Sequence, residues 1–268
     1  MPAPLARTPS MQSLLLDLRF NGQHLAHATG FVVASTAGPH LITCRHVVTG
    51  RDQDTNQPLA KDTGGIPNEV RILHHSLDPP RDGVLWGWVE RIEPLYDGVT
   101  PRWREHPTLG ARADIVALPL MARDVQFFPY DLSADSKLEL GPGDPVSVIG
   151  FPFGRAAGGF LGIWATGFIA SETFVDWNDL PIQLIDSRTR QGQSGAPVVA
   201  YRAQGSTVMI DGVPKRIEEG AISQFLGVYS GRITDQSDVG MVWKAEAVRA
   251  LIDKPVHSGS STSQDSNR

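Results

Sequence analysis

The sequence predicts an all-β fold, a sandwich or a barrel, and three observations predict it. Short apolar runs separated by turn signals fill most of the chain, about a dozen in all. Gly (27) and Pro (20) are numerous enough in 268 residues to punctuate many turns. Only one stretch has the 3.6-residue apolar period of an amphipathic helix, so alternation of strands with helices is missing. The strand-like runs are, in order, "SLLLDLRF", "GFVVAS", "HLITC", "EVRIL", "VLWGWVERI" and "DIVALPL" in the first half. "PVSVIGF", "IWATGFIAS", "PIQLIDS", "APVVAYR", "STVMI" and "QFLGVYS" follow in the second. The helical stretch is "MVWKAEAVRALI", with Val242, Ala245, Val248, Ala250, Leu251 and Ile252 mostly on one face.

Between the two sets of strands, residues 120–140 are polar and read as a connection. Residues 49–68 and 201–223 read as long loops, suited to substrate contact or regulation or tolerated as surface insertions. The second contains "IDGV", an Asp-Gly hairpin signal. Residues 1–10 read as a loose leader and 256–268 as a disordered tail. Net charge is -5 with no Lys/Arg run, so nucleic acid is a poor partner. The single cysteine, Cys44, excludes an intrachain disulfide. The apolar part of "MQSLLLDLRF" is too short and broken for a signal sequence, and no span suits a membrane helix. A soluble cytosolic protein with no membrane partner is the expectation.

The chemistry centres on "RQGQSGAP", residues 190–197. A serine hydroxyl becomes a nucleophile only beside a base, with the base oriented by an acceptor and backbone N–H groups aimed at the developing oxyanion. The amides of Gly192 and Ser194 could supply the last of these. An α/β-hydrolase elbow would need a carboxylate and then a histidine after Ser194, and the only later histidine is His257, in the polar tail. Upstream, two apolar strands lead to His46 in "TCRHVV". Asp114 opens the apolar run "DIVALPL", where a half-buried carboxylate can accept the imidazole Nδ1–H. The order is therefore His46, Asp114, Ser194. The Asp-His-Ser order of subtilisin-type enzymes does not fit.

These segments resemble the chymotrypsin/trypsin-like serine proteases, in particular the bacterial HtrA/Deg proteases and glutamyl endopeptidases. "TCRHVV" is similar to the family's Thr-x-x-His segment, "ADIVAL" to its Asp strand and "GQSGAPVV" to its Gly-x-Ser-Gly-x-Pro segment. "VIGFPFG", "WATGFIAS" and "FLGVYSG" resemble second-barrel and cleft strands, so the resemblance spans about residues 11–252. It implies two six-stranded antiparallel Greek-key β-barrels with a C-terminal α-helix. The first barrel would occupy 11–127 and the second, with the helix, 128–255. It implies catalysis by His46, Asp114 and Ser194, with Gly192 and Ser194 as the oxyanion hole. Arg188, Thr189, Arg190, Gln191, Tyr229, Ser230 and Gly231 would bind substrate, Tyr229 shortening the pocket. The two arginines suit either an acidic substrate side chain or solvent.

The chain departs from the family's digestive members at Gln193, where they carry an Asp that pairs with a newly cut N-terminus. Gln193 cannot form that ion pair. Gating by a protein partner or by loop ordering is expected instead, with a protein or peptide as substrate. Cys44 reads as a small buried hydrophobe rather than a redox switch. His74 and His75 face opposite sides of a strand, and His24, His27, His40 and His106 have no evident partner in the sequence, so no metal is expected. With no phosphate-binding loop, no cofactor is expected either. The rival reading is a protease-fold binding or sensing module with little turnover.

Overall fold

The computed structural model describes residues 6–78, 87–132 and 138–253. The proposed tail, the first five residues of the leader and the start of "VLWGWVERI" lie outside them. The first half is built from β1 (Ser13–Phe20), β2 (Gln23–Ser35), β3 (Gly38–Thr43), β4 (Glu69–His75) and β5 (Trp88–Pro94). The short β6 (Tyr96–Asp97), β7 (Thr100–Pro101) and β8 (Arg104–Glu105) precede β9 (Val116–Pro119). A seven-stranded antiparallel sheet runs β5-β4-β1-β2-β3-β9-β8, and β6 pairs with β7 alone. The six strands expected become seven because two residues of β8 pair beside β9.

The second half is a closed six-stranded barrel. Its strands are β10 (Pro145–Gly150), β11 (Ile163–Ile169), β12 (Ile182–Asp186), β13 (Pro197–Ala203), β16 (Ala221–Arg232) and β17 (Val239–Lys244). Closure leaves no strand edge open. Between β13 and β16 stands the hairpin β14 (Thr207–Ile210) and β15 (Val213–Arg216). Asp211 and Gly212 both have positive φ at its turn (53° and 70°), the geometry that makes Asp-Gly a hairpin signal.

Two short helices flank strands of the first half. α1 (Thr8–Gln12) lies where a loose leader was expected, and its Pro9 is buried. α2 (Arg45–Thr49) follows β3 directly. The C-terminal helix α3 is Ala245–Asp253, shorter than the periodicity suggested. Met241–Lys244 are strand because β17 pairs with β12 on one side and β16 on the other. Two ladders of hydrogen bonds outweigh a weak local preference for helix. α3 buries Ala247, Val248 and Leu251 against β16, β17 and β9, so it touches both halves.

The halves share one core. Phe31 of the first sheet, Tyr130 of the connection and Phe225 of β16 meet with ring centroids 5.0–5.3 Å apart. Buried Trp243 and Val228 join the same cluster as Leu41 and Ile42. The barrel interior is a second cluster that includes Val146, Val148, Ile185, Val198 and Tyr229. No helix among the described residues is long and apolar enough to cross a membrane.

Candidate active site

Strand register brings Asp114 to His46. β3 and β9 pair antiparallel with Thr43 opposite Val116, so the continuation of each chain sets the first turn of α2 beside Asp114. Both carboxylate oxygens are then used by one residue. Asp114 Oδ1 accepts the His46 backbone N–H at 2.9 Å, and Oδ2 lies 2.7 Å from His46 Nδ1. Asp114 is 6% exposed, so this pairing sits largely out of water. Burial alone would disfavour the charged ring, but the Asp114 charge and hydrogen bond, helped by Asp52, outweigh it and raise the His46 pKa above its ordinary value. Glu105, on β8, pairs with Arg45 at 2.8 Å and anchors the other side of the same turn.

Ser194 lies in the loop between β12 and β13, and the carbonyls of residues 191 to 194 are all committed. Gln191 O accepts from Phe153 N–H (2.6 Å) and Gln193 O from Ala196 N–H (2.9 Å). Thr29 Oγ1 donates to Gly192 O at 2.8 Å, and Thr29 N–H donates to Ser194 O at 3.0 Å. In a trans peptide the N–H points opposite its C=O. Holding the Gln191 and Gln193 carbonyls therefore turns the Gly192 and Ser194 amides the other way. Among the described residues these two amides have no acceptor, while Gln193 N–H and Gly195 N–H bond Arg190 O and Tyr229 O. The loop needs glycine at two points. Gly192 and Gly195 have φ of +94° and +84°. A Cβ would come within 2.5 Å of Phe151 O at Gly192 and 2.1 Å of Thr29 O at Gly195.

His46, Gln191, Gly192 and Ser194 line one cleft of about 300 Å³. Its far wall is Leu59, Ala60, Gly65 and Pro67 of the 49–68 loop, which folds back through Leu59 N–H to Gly50 O. The other long segment, 201–223, is the β14–β15 hairpin at the end of β13 remote from Ser194. Among the described residues no hydrogen bond joins Ser194 Oγ to the His46 ring.

The remaining residues named from the sequence divide. Thr189 and Tyr229 are buried, and their hydroxyls bond each other at 2.5 Å. The Tyr229 ring packs where a side chain at Gly240 would stand, 2.6 Å from an added Cβ. Ser230 is buried with its hydroxyl 3.5 Å from Met241 O. Gly231 is half-buried on β16. Arg188 and Arg190 are exposed, and Arg190 donates to its neighbour Thr189 O. Gln193 is 1% exposed, with Oε1 accepting the Arg190 N–H at 2.7 Å, so its amide serves its own loop. Cys44 is fully buried, its thiol donating to Tyr229 O at 3.4 Å. Burial, then the Asp114 charge, pushes that thiol well up, which makes it a poor redox group.

Sequence reasoning missed two features. Thr29 joins the first sheet to the Ser194 loop at two points, Gly192 O and Ser194 O, and to the turn after β10 at the Phe151 N–H, and nothing in its neighbourhood of sequence marks it. Asp17, His24 and His27 also form a cluster, of which His27 lines the cleft.

The trypsin-like peptidase domain family matches residues 28–208, more than half of the chain. Among curated protein sequences none matches significantly. A serine endoprotease from Yersinia pestis superposes with a TM-score of 0.51 at 12% identity, covering 94% of this chain and 66% of that one. A thermostable serine protease, AL20, from an extremophilic microorganism gives 0.50 at 12% identity, covering 92% and 97%. At such identities these likenesses show a shared fold. Together with the family match over the residues that carry His46, Asp114 and Ser194, they identify this chain as a member of the trypsin-like peptidase family and a serine endopeptidase of the two-part, all-β chymotrypsin-like fold.

Proposed function

We propose that peptide bonds are hydrolysed here through an acyl-enzyme on Ser194. His46 Nε2 takes the serine proton as general base and later gives it to the leaving amine. Asp114 fixes the tautomer and stabilises the imidazolium. The Gly192 and Ser194 amides hold the oxyanion. What carries the reading is one arrangement: a histidine held at two points by one buried carboxylate, in the same cleft as a serine flanked by two uncommitted amides.

The substrate is an extended protein or peptide segment. Gln191 lines the cleft, and the family resemblance assigns Thr189, Tyr229, Ser230 and Gly231 to the adjoining substrate pocket. A buried Tyr229 ring, packed against Gly240, takes up space on that side, which favours modest side chains before the cut bond. Arg188 and Arg190 sit at its exposed rim. Activity is gated by a partner protein or by loop ordering: Gln193 is committed to its own loop and cannot take the ion pair that switches on the digestive members, and a long loop, 49–68, walls the cleft where a partner could act.

Digestion of an unstructured protein by the purified chain, read by mass spectrometry across pH, tests this. Cleavage after small and medium residues is expected. The neutral ring is the base, so the rate rises with pH through the His46 pKa, and the midpoint of the acid limb lies above the ordinary histidine value of 6.5. The stability linkage has the opposite sense. The His46–Asp114 attraction contributes fully below pH 6.5 and is lost as pH rises through the raised folded pKa. An acid limb at or below 6.5 contradicts the pairing as the source of the base. Full-rate cleavage by the isolated chain, without any lag or activator, contradicts the gating while leaving hydrolysis intact.

Thr29→Val keeps the shape of the side chain but removes the hydroxyl that holds Gly192 O and receives Phe151 N–H. The carbonyl of Gly192, on the residue whose own amide donates to the oxyanion, then loses its anchor, as does the turn whose Phe153 N–H holds Gln191 O. A fall in kcat of about tenfold or more is expected, with KM little changed, because the oxyanion forms only in the transition state. Equal change in kcat and KM, or none, contradicts this role.

A further inference from the structure

The β1–β2 ladder carries one irregularity. Leu18 pairs with Ala26, but Arg19 pairs with His24, so Leu25 is an extra residue in β2. In a regular strand His24 and His27, three apart, would face opposite sides. The bulge turns both to the face of Asp17, which pairs directly with His27. Asp17 Oδ1 lies 2.5 Å from His24 Nδ1, and the two histidine rings lie 4.4 Å apart between centroids. One ligand atom from each of the three residues falls within 4.8 Å of the others.

Two details suit this cluster to a metal ion. His27 Nδ1 is buried and has no hydrogen-bond partner. Asp17 Oδ2 is already held by Arg71, at 3.0 Å from Nε and 2.9 Å from Nη2, which orients the carboxylate as an outer partner does around a metal. Arg19, 3.6 Å away, adds a second positive charge. Two guanidiniums disfavour a hard cation that depends on carboxylate charge, and two imidazoles favour a borderline ion. Two nitrogens and one oxygen leave a fourth tetrahedral position open.

The cluster is also wired to the cleft. His27 lines it beside His46 and Ser194. Its ring packs against Gly154, where an added Cβ would lie 2.3 Å from Cδ2. The turn holding Gly154 donates Phe153 N–H to Gln191 O, one of the bonds that aim the Gly192 amide.

We propose that Asp17, His24 and His27 bind a transition-metal ion of the Zn²⁺ class, and that its occupancy slows hydrolysis at Ser194. The second half rests on the catalytic reading above; the first does not. Calorimetric titration of the full chain with ZnCl₂ tests the first half, using the wild type, Ser194→Ala and His24→Ala. His24 is half exposed, so its removal leaves the core intact. One equivalent is expected to bind to wild type and Ser194→Ala alike. Affinity should fall more than about tenfold in His24→Ala, since losing a ligand exceeds the loss of an outer partner. Hydrolysis by wild type should slow with ZnCl₂ and recover with chelator, while His24→Ala keeps its basal rate and ignores the metal. Unchanged binding in His24→Ala places the ion elsewhere, such as Cys44, His46 and Asp114, and overturns the site. So does no binding to wild type. Binding that depends on His24 but leaves hydrolysis untouched overturns the inhibition alone.

Discussion

Replacing Ser194 with alanine is expected to lower kcat for peptide hydrolysis on the order of 10⁶-fold, while the melting temperature stays within about a degree. The size follows from what the hydroxyl does. Without it no acyl-enzyme forms, and His46 can only polarise water. The amides of Gly192 and Ser194 survive the change, so a residue of catalysis over water, roughly 10³-fold, remains from oxyanion stabilisation and binding. The small effect on stability follows from what the hydroxyl does not do. Among the described residues it makes no hydrogen bond, so its removal strands no buried partner. Steady-state kinetics and a thermal melt on one preparation check both parts. A variant that keeps a tenth of the wild-type rate means that Ser194 is not the nucleophile.

Asp114→Asn is the second large effect, a loss of about 10⁴-fold in kcat with the site still folded. This chain gives a specific reason. Both oxygens of Asp114 face donors, the His46 backbone N–H and the ring Nδ1. Asparagine offers one acceptor and one donor in that space. If its oxygen keeps the backbone N–H, its NH₂ group faces Nδ1 and forces the proton to Nε2. The nitrogen facing Ser194 then carries a proton and cannot take another. If the amide flips, NH₂ faces a backbone N–H and α2 loses its anchor. The variant should therefore also lose the raised His46 pKa, moving the ring's titration down towards 6.5 or below. Histidine ring resonances followed by NMR across pH would show that shift. A loss of less than tenfold in kcat contradicts the orienting role.

Local patterns made the strands and the reacting groups readable. β1 matches "SLLLDLRF" residue for residue, and the Asp-Gly hairpin appears where its dipeptide signals it. Glycines flanking Ser194 announce a loop with unusual φ, because only glycine enters it cheaply. What the sequence does not display is set by pairing across distance. Met241–Lys244 carry helical spacing but become strand through two neighbouring strands, β12, more than 50 residues back in the chain, and β16, with Gly231 opposite Met241 and Gly227 opposite Lys244. Thr29 acts on Gly192 and Ser194 only because β2 passes under their loop. His24 and His27 share a face only because Leu25 is squeezed out of register, a bulge that no composition signal marks. Of the two long loops, Asp-Gly marks one as a hairpin, but nothing in the other's sequence says that it walls the cleft.

The central claim is that Ser194 is a nucleophile activated by His46. Mass spectrometry of the intact protein after exposure to a fluorophosphonate probe tests it most directly. One adduct per chain, mapped by peptide digestion to Ser194 and absent from Ser194→Ala and His46→Ala, is the predicted result. No adduct at any pH, with or without a peptide to order the cleft, or an adduct on another residue, would contradict it and return the fold to the rival role of a binding or sensing module.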